Sequence, residues 1–133
     1  MSGVLLSAPT SALKLMGMET RAHRIRLKPG SLQRVREWAA ELTRRQPEAL
    51  VTMRDETVYL ECFFLEQADD ADFLIAVMTA RSFEQSRRAV EASLHAIDAY
   101  HQQFKRDTWE SGSRLELLVN LNRLGELAME SSG

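Results

Sequence analysis

The sequence predicts an α+β fold, and three observations predict it. Apolar and polar residues alternate with period two at both ends of the chain's central part, apolar spacings of three and four mark two segments between them, and two apolar runs lie back to back across a polar stretch. The resulting order is strand, helix, hairpin of two strands, helix, strand. That is the split βαβ, ferredoxin-like βαββαβ arrangement, with an antiparallel four-stranded sheet carrying helices on one face. A chain of 133 residues fits one such domain and is too short for two cores.

The first strand is read from Glu19 to Lys28, where Arg21, His23, Ile25 and Leu27 alternate with Ala22, Arg24 and Arg26 until Pro29-Gly30 supplies a turn. Ser31 is placed to cap a helix whose apolar positions are Leu32, Val35, Trp38, Ala39 and Leu42. Trp38 is its expected core anchor. The helix should break near Pro47, with Ala49, Leu50 and Met53 marking a second short helical piece. Thr57 to Glu66 and Asp72 to Ala80 are rich in Val, Tyr, Phe, Leu and Ile and flank Gln67-Ala68-Asp69-Asp70, so they read as a β-hairpin. Ser82 should cap the next helical segment, with Phe83, Val90, Leu94, Ile97, His101 and Phe104 along one stripe. One helix and two helices bent near His95 both satisfy that pattern. Beyond Ser111-Gly112-Ser113, the alternation of Leu115, Leu117, Val119 and Leu121 predicts a fourth strand over Arg114 to Asn122. Residues 1–17 are expected to form a loosely held extension, 18–123 the domain and 124–133 a polar tail.

Composition excludes several classes of function. A formal net charge of -2, with no broad basic stretch, gives no reason to expect nucleic acid or an anionic membrane as partner. No run approaches the roughly 18–20 apolar residues of a membrane span, and Lys14 follows the apolar start where a secretory signal would place its cation first. The one cysteine, Cys62, lies inside an apolar run, which excludes an internal disulfide and suggests a buried thiol in a reducing, cytoplasmic setting.

Both faces of the central strands ask for burial. Val58, Leu60, Cys62 and Phe64 oppose Tyr59, Phe63 and Leu65, and Phe73, Ile75 and Val77 oppose Leu74, Ala76 and Met78. Helices cover one face, and a second copy of the chain is the expected cover for the other, since monomers rarely expose large apolar patches. A homodimer is therefore predicted, the alternative being a monomer whose extension or tail folds over the open face.

The residues able to carry chemistry are few. His95, Asp98 and His101 fall at i, i+3 and i+6 of one helix, so Asp98 can reach either ring, and a carboxylate beside an inward-facing imidazole is an acid-base pairing. His101 is the expected acid or base, Asp98 its orienter, and His95 a surface or cap residue. Tyr59 and Glu61 share one face of the second strand and would line a cavity under a dimer if that face is the open one. Glu61 either serves as a base with a raised pKa or pairs with Arg21 or Arg24. His23 can face either way, and Trp109 can close a pocket or cap the core. Three histidines at 23, 95 and 101 lack metal-ligand spacing, and no glycine-rich phosphate loop, serine elbow or CxxC is present, so no metal and no cofactor is called for.

The element order, the doubly apolar strands, the Lys28-Pro29-Gly30 turn, the strand Tyr59-Leu60-Glu61-Cys62-Phe63-Phe64-Leu65-Glu66 and the segment His95-Ala96-Ile97-Asp98-Ala99-Tyr100-His101 support a named comparison. From Glu19 to Asn122 the chain resembles an uncharacterised bacterial family of unknown function within the dimeric alpha-beta barrel superfamily. Proline tends to follow the first histidine of that segment in the family, and here the position is Ala96. The resemblance implies two such domains with facing sheets and small-molecule pockets between sheet and helices. Relatives in the superfamily include cofactor-independent monooxygenases, isomerases and haem-binding barrels with a helix histidine as axial ligand. The resemblance implies no single activity. The function expected is binding of a small apolar or aromatic ligand, with isomerase or cofactor-independent monooxygenase chemistry at His101. A non-catalytic binding or stress-associated dimer is the alternative, and haem at His101 a third reading.

Overall fold

The computed structural model describes residues 17–126. The extension expected over residues 1–17 and the end of the polar tail, from 127 onward, thus lie almost wholly outside the described residues. Strand β1 runs Glu19–Leu27, helices α1 and α2 span Leu32–Arg44 and Gln46–Asp55, and strands β2 and β3 span Val58–Gln67 and Asp72–Ala80. Helices α3 (Phe83–Ala92) and α4 (Ala96–Thr108) follow, then β4 (Trp109–Arg114). The strands form one sheet in the order β2-β3-β1-β4, antiparallel at every contact. The predicted α+β, βαββαβ fold is what the chain adopts.

Local chemistry places the breaks. Gly30 takes a φ of 79° behind Pro29, which only glycine does without strain, and turns β1 into α1. Pro47 sits in the first turn of α2, where its missing N–H costs nothing. Ser82 caps α3 by accepting from the Gln85 amide at 3.1 Å. Ser31, expected to do the same for α1, has helical backbone angles and makes no side-chain cap; its carbonyl instead accepts from Val35. The second helical segment is two helices. Ser93 and His95 are extended between them without a proline, and the Ser93 hydroxyl holds the break by donating to Asp98 at 2.5 Å and accepting from the His95 amide at 3.1 Å.

The sheet register assigns each strand's faces. Glu61, Phe63 and Leu65 of β2 lie with Met78, Ala76 and Leu74 of β3 and with Arg21, His23 and Ile25 of β1 on the helix side. There Ile25, Leu27, Val35, Trp38, Leu74 and Phe104 form the core. Trp38 stacks on Phe104 with ring centroids 4.2 Å apart and meets Phe63 edge-on at 4.9 Å. Leu60, Cys62, Phe64, Ile75, Val77 and Ala22 lie on the opposite, open side, flanked by the Arg24–Glu66 and Arg26–Glu110 ion pairs. Cys62 is accordingly half-buried and not the core thiol that its apolar neighbours suggested.

The fourth strand is the main correction. It occupies Trp109–Arg114, and residues from Leu115 onward leave the sheet after one bond from the Leu115 amide to the Ala22 carbonyl at 2.8 Å. The strand that forms, Trp-Glu-Ser-Gly-Ser-Arg, has no apolar alternation; pairing with β1 makes it a strand. The alternating segment behind it is not a strand and is exposed, Leu118 at 84% and Leu121 at 90%, with no described residue covering those two side chains.

Candidate functional site

The helices do not close completely over the sheet. Between β1, β2, β3 and the four helices lies a cavity of about 630 Å³, with an apolar lining that includes Ile25, Leu42, Met53, Phe63, Met78 and Val90. Into the same cavity come His23, Glu56, Glu61, Asp98, His101, Lys105 and Trp109.

Helix α4 supplies one polar wall of the cavity. Asp98, His101, Lys105 and Trp109 follow at intervals of three, four and four, one stripe of the helix and its exit. Strand β2 brings Glu61 through the helix face of the sheet, which corrects the conditional expectation that Tyr59 and Glu61 would share an open-side cavity. A register shift between Val58 and Leu60 dislocates Tyr59, which is 48% exposed and lines a separate groove beside α1 and α2. Glu56 arrives from the end of α2. It is followed by Thr57 at a φ of 60°, a left-handed conformation that β-branched residues avoid. Hydrogen bonds between the Thr57 hydroxyl and the Ser82 backbone at 3.2 Å, and from the Arg81 amide to the Thr57 carbonyl at 3.0 Å, hold that turn.

Electrostatics in the cavity follow from burial without pairing. Among the described residues, no ion pair joins Glu56, Glu61 or Lys105 to any opposite charge within 4 Å. Glu61 pairs with neither arginine proposed for it: Arg24 holds Glu66 and Arg21 lies against Glu19. Burial pushes the Glu56 carboxyl up to about 8, with the Asp98 and Glu61 charges adding to it. The same desolvation raises Glu61, against the pull of Lys105, and lowers Lys105, against the pull of Glu61, Glu56 and Asp98. His23 is lowered by burial and by Arg114 and Arg21. The cavity thus favours neutral forms of groups that are ionised in water.

His101 faces the cavity as the sequence suggested, but its partner is not Asp98. The indole N–H of Trp38 donates to His101 Nδ1 at 3.0 Å, and the two rings are stacked. An indole nitrogen only donates, so Nδ1 is unprotonated and Nε2 carries the hydrogen. Burial, reinforced by the Lys105 charge, pulls the ring down to about 3. His101 is therefore a neutral hydrogen-bond donor, neither an imidazolium acid nor a free base. The same bond argues against haem at this residue: coordination through Nε2 requires that lone pair free and the hydrogen on Nδ1, where Trp38 already donates. Asp98 accepts from Ser93 and holds the helix break. His95 lies away from the cavity and meets Asp55 at 3.1 Å on the surface. Trp109 closes one end, and its Nε1 is a buried donor without a hydrogen-bond partner among the described residues, beside the Lys105 ammonium at 4.9 Å from the ring. Among the described residues no group of three His, Cys, Asp or Glu is arranged to hold a metal ion.

Two site residues escaped the sequence reading. Lys105 was legible, four positions after His101 on the stripe that already held Asp98. Glu56 was not, because only the Thr57 turn directs it inward.

Solved structures share this fold. A NIPSNAP-like domain protein from Burkholderia xenovorans superposes with a TM-score of 0.52 at 16% identity over 78% of this chain and 86% of its own. A putative antibiotic biosynthesis monooxygenase from Bacteroides thetaiotaomicron gives 0.51 at 16% over 80% and 93%. SnoaB from Streptomyces nogalater, a cofactor-independent oxygenase, gives 0.50 at 13% over 80% and 98%. At these identities the likeness is one of fold alone. Residues 18–126 match the family of unknown function DUF6176, and the chain belongs to that family. No curated protein matches the chain in sequence. Among the described residues no helix is long and apolar enough to cross a membrane.

Proposed function

We propose that the chain is a homodimer whose cavity binds a small, largely apolar carbonyl compound and moves a proton on it without a cofactor, as an isomerase does. The observation that carries this is the gathering of Glu56, Glu61, His101 and Lys105, unpaired with one another by ion pairs, around one apolar cavity. Acids and bases whose protonation is shifted by burial and which converge on one apolar cavity are the usual makings of a proton-transfer site. Glu61, as carboxylate, is placed to take a proton from the carbon beside the carbonyl. His101 Nε2–H and the Glu56 carboxylic acid are donors for the oxygen on which charge develops, and Glu56 or Glu61 returns the proton at a new position. His101 thus stabilises charge, while the carboxylates transfer protons.

The dimer rests on the open face, where Phe64 is 60% and Leu60 45% exposed beside Cys62, Ile75 and Val77. A patch of this kind on a sheet already covered on one side fits a second sheet packed by a two-fold operation. The oxygenases among the structural neighbours support the fold comparison only.

The test is solvent deuterium exchange into cyclohexanone and acetophenone, followed by NMR with the purified full chain in heavy water. Wild-type protein should accelerate exchange at the carbon next to the carbonyl, and Glu61→Gln should lose about 100-fold or more of that acceleration. Probes that bind, with thermal stabilisation, yet exchange at the uncatalysed rate would establish the non-catalytic binding dimer instead.

A further inference from the structure

We propose that Lys105 is a nucleophilic amine that condenses with the carbonyl of the cavity's ligand, holding aldehydes or ketones as an imine. The chain's use of cations first draws attention to it. Of 17 cationic residues only Lys14, Lys28 and Lys105 are lysines, so 14 (17 less 3) are arginines. Every cation in the ion pairs of the described residues is an arginine, apart from the His95 contact. An arginine among Glu56, Glu61 and Asp98 would bind carboxylates in a fixed fork and stay charged, whereas lysine alone can give up its proton and attack.

Geometry supports the exchange. Lys105 lines the cavity, its amine lies over the Trp109 ring without a carboxylate within 4 Å, and desolvation favours its neutral form. Its surroundings provide the rest of the condensation. The Nζ lone pair attacks the carbonyl carbon and forms a C–N bond. The Glu56 carboxylic acid gives its proton to the carbonyl oxygen, and the Glu61 carboxylate takes one from the nitrogen, leaving a carbinolamine. Return of the Glu61 proton to the hydroxyl expels water as the nitrogen lone pair forms C=N. The second nitrogen proton, held in the protonated imine, can then pass to the Glu56 carboxylate. One water leaves and no oxidant or reductant is consumed. While it keeps that proton the imine withdraws electrons from the neighbouring carbon, so the proposal deepens the proton-transfer reading and rests on the cavity accepting a carbonyl compound.

The test is reductive trapping of the purified full chain at pH 7 with benzaldehyde, which cannot enolise, and sodium cyanoborohydride, read by intact mass and peptide mapping. Lys28 is the internal reference: it is exposed and donates to the Arg106 carbonyl at 2.8 Å. We expect benzylation at Lys105 about ten-fold or more faster than at Lys28, because an amine desolvated in the cavity is held more in its nucleophilic, neutral form than one in water. Lys105→Arg should abolish that label and leave the Lys28 rate unchanged. Lys28 labelling as fast as or faster than Lys105 in the wild-type chain overturns the proposal, and this ratio needs no variant to fold. Deuterium exchange alongside such a result would retain the carboxylate chemistry and remove only the amine, whereas fast Lys105 trapping without exchange would retain the amine and remove the proton transfer.

Discussion

On the helix side of the sheet Ile25, Leu74 and Phe63 meet Trp38 and Phe104, while one residue further along the same strands Arg24, Ile75 and Phe64 face outward. Both sides are largely apolar, yet among the described residues only one is filled. The helix side buries aromatic rings and leaves a gap that unpaired ionisable groups line; the open side carries its charges at the rim as Arg24–Glu66 and Arg26–Glu110 pairs. Buried charges are costly unless paired, so the unpaired set on the helix side is the less expected of the two, while exposed pairs such as those at the open rim are ordinary surface features.

Substitutions separate the two faces. Trp38→Ala, on the helix side, should destabilise the fold by about 3–5 kcal/mol in chemical denaturation, because Trp38 is 2% exposed and bridges Phe63, Phe104 and His101. Phe64→Ala, on the open side, should change the stability of a single chain by less than about 1 kcal/mol. Its effect should appear in sedimentation velocity as a dimer weakened by about 2 kcal/mol, the loss typical of a central aromatic anchor. Equal destabilisation by both, with no change of assembly, would show that the open face is covered within the chain.

The pH dependence of folding tests the helix side alone. Glu56 has a folded pKa of about 8 against an ordinary 4.5, so the folded state holds a proton that the unfolded state releases. Its contribution to stability is full below about 4.5 and is lost as pH rises through about 8. Glu56→Gln should flatten this decline in denaturation curves measured between those limits. The smallest expected effect concerns the His101 proton. Trp38→Phe keeps a stacking ring and removes the N–H donor. Imidazole nitrogen NMR should show the wild-type ring as the Nε2–H tautomer and neutral down to about pH 4, since its folded pKa is about 3. The variant should titrate at higher pH with both tautomers present; an unchanged spectrum would mean that Trp38 does not set the His101 proton.

Strong local patterns were readable because they report on burial one segment at a time. Trp38 in an apolar helical stripe, the hairpin with its two-faced strands, the Pro47 break and the Ser82 cap all follow from spacing and turn chemistry. His101 as an inward residue was legible from the same stripe. Its chemistry was not, since Asp98 lies one turn away in sequence while Trp38, 63 residues distant, makes the bond. Sequence proximity favoured the wrong partner.

The sequence by itself determined the order of elements, the helix-side core and the presence of an inward histidine, because hydrophobic periodicity and capping act over a few residues. Tertiary structure decided that Trp109–Arg114 and not the leucine-rich segment after it completes the sheet, since β1 offers its free hydrogen-bonding edge there. It also decided that Glu56, Glu61 and Lys105 share one cavity. Residues from the end of α2, from β2 and from α4 meet only when the sheet is assembled, and burial, with their charges acting on one another, then turns three ordinary surface-type charges into groups whose protonation is open to change.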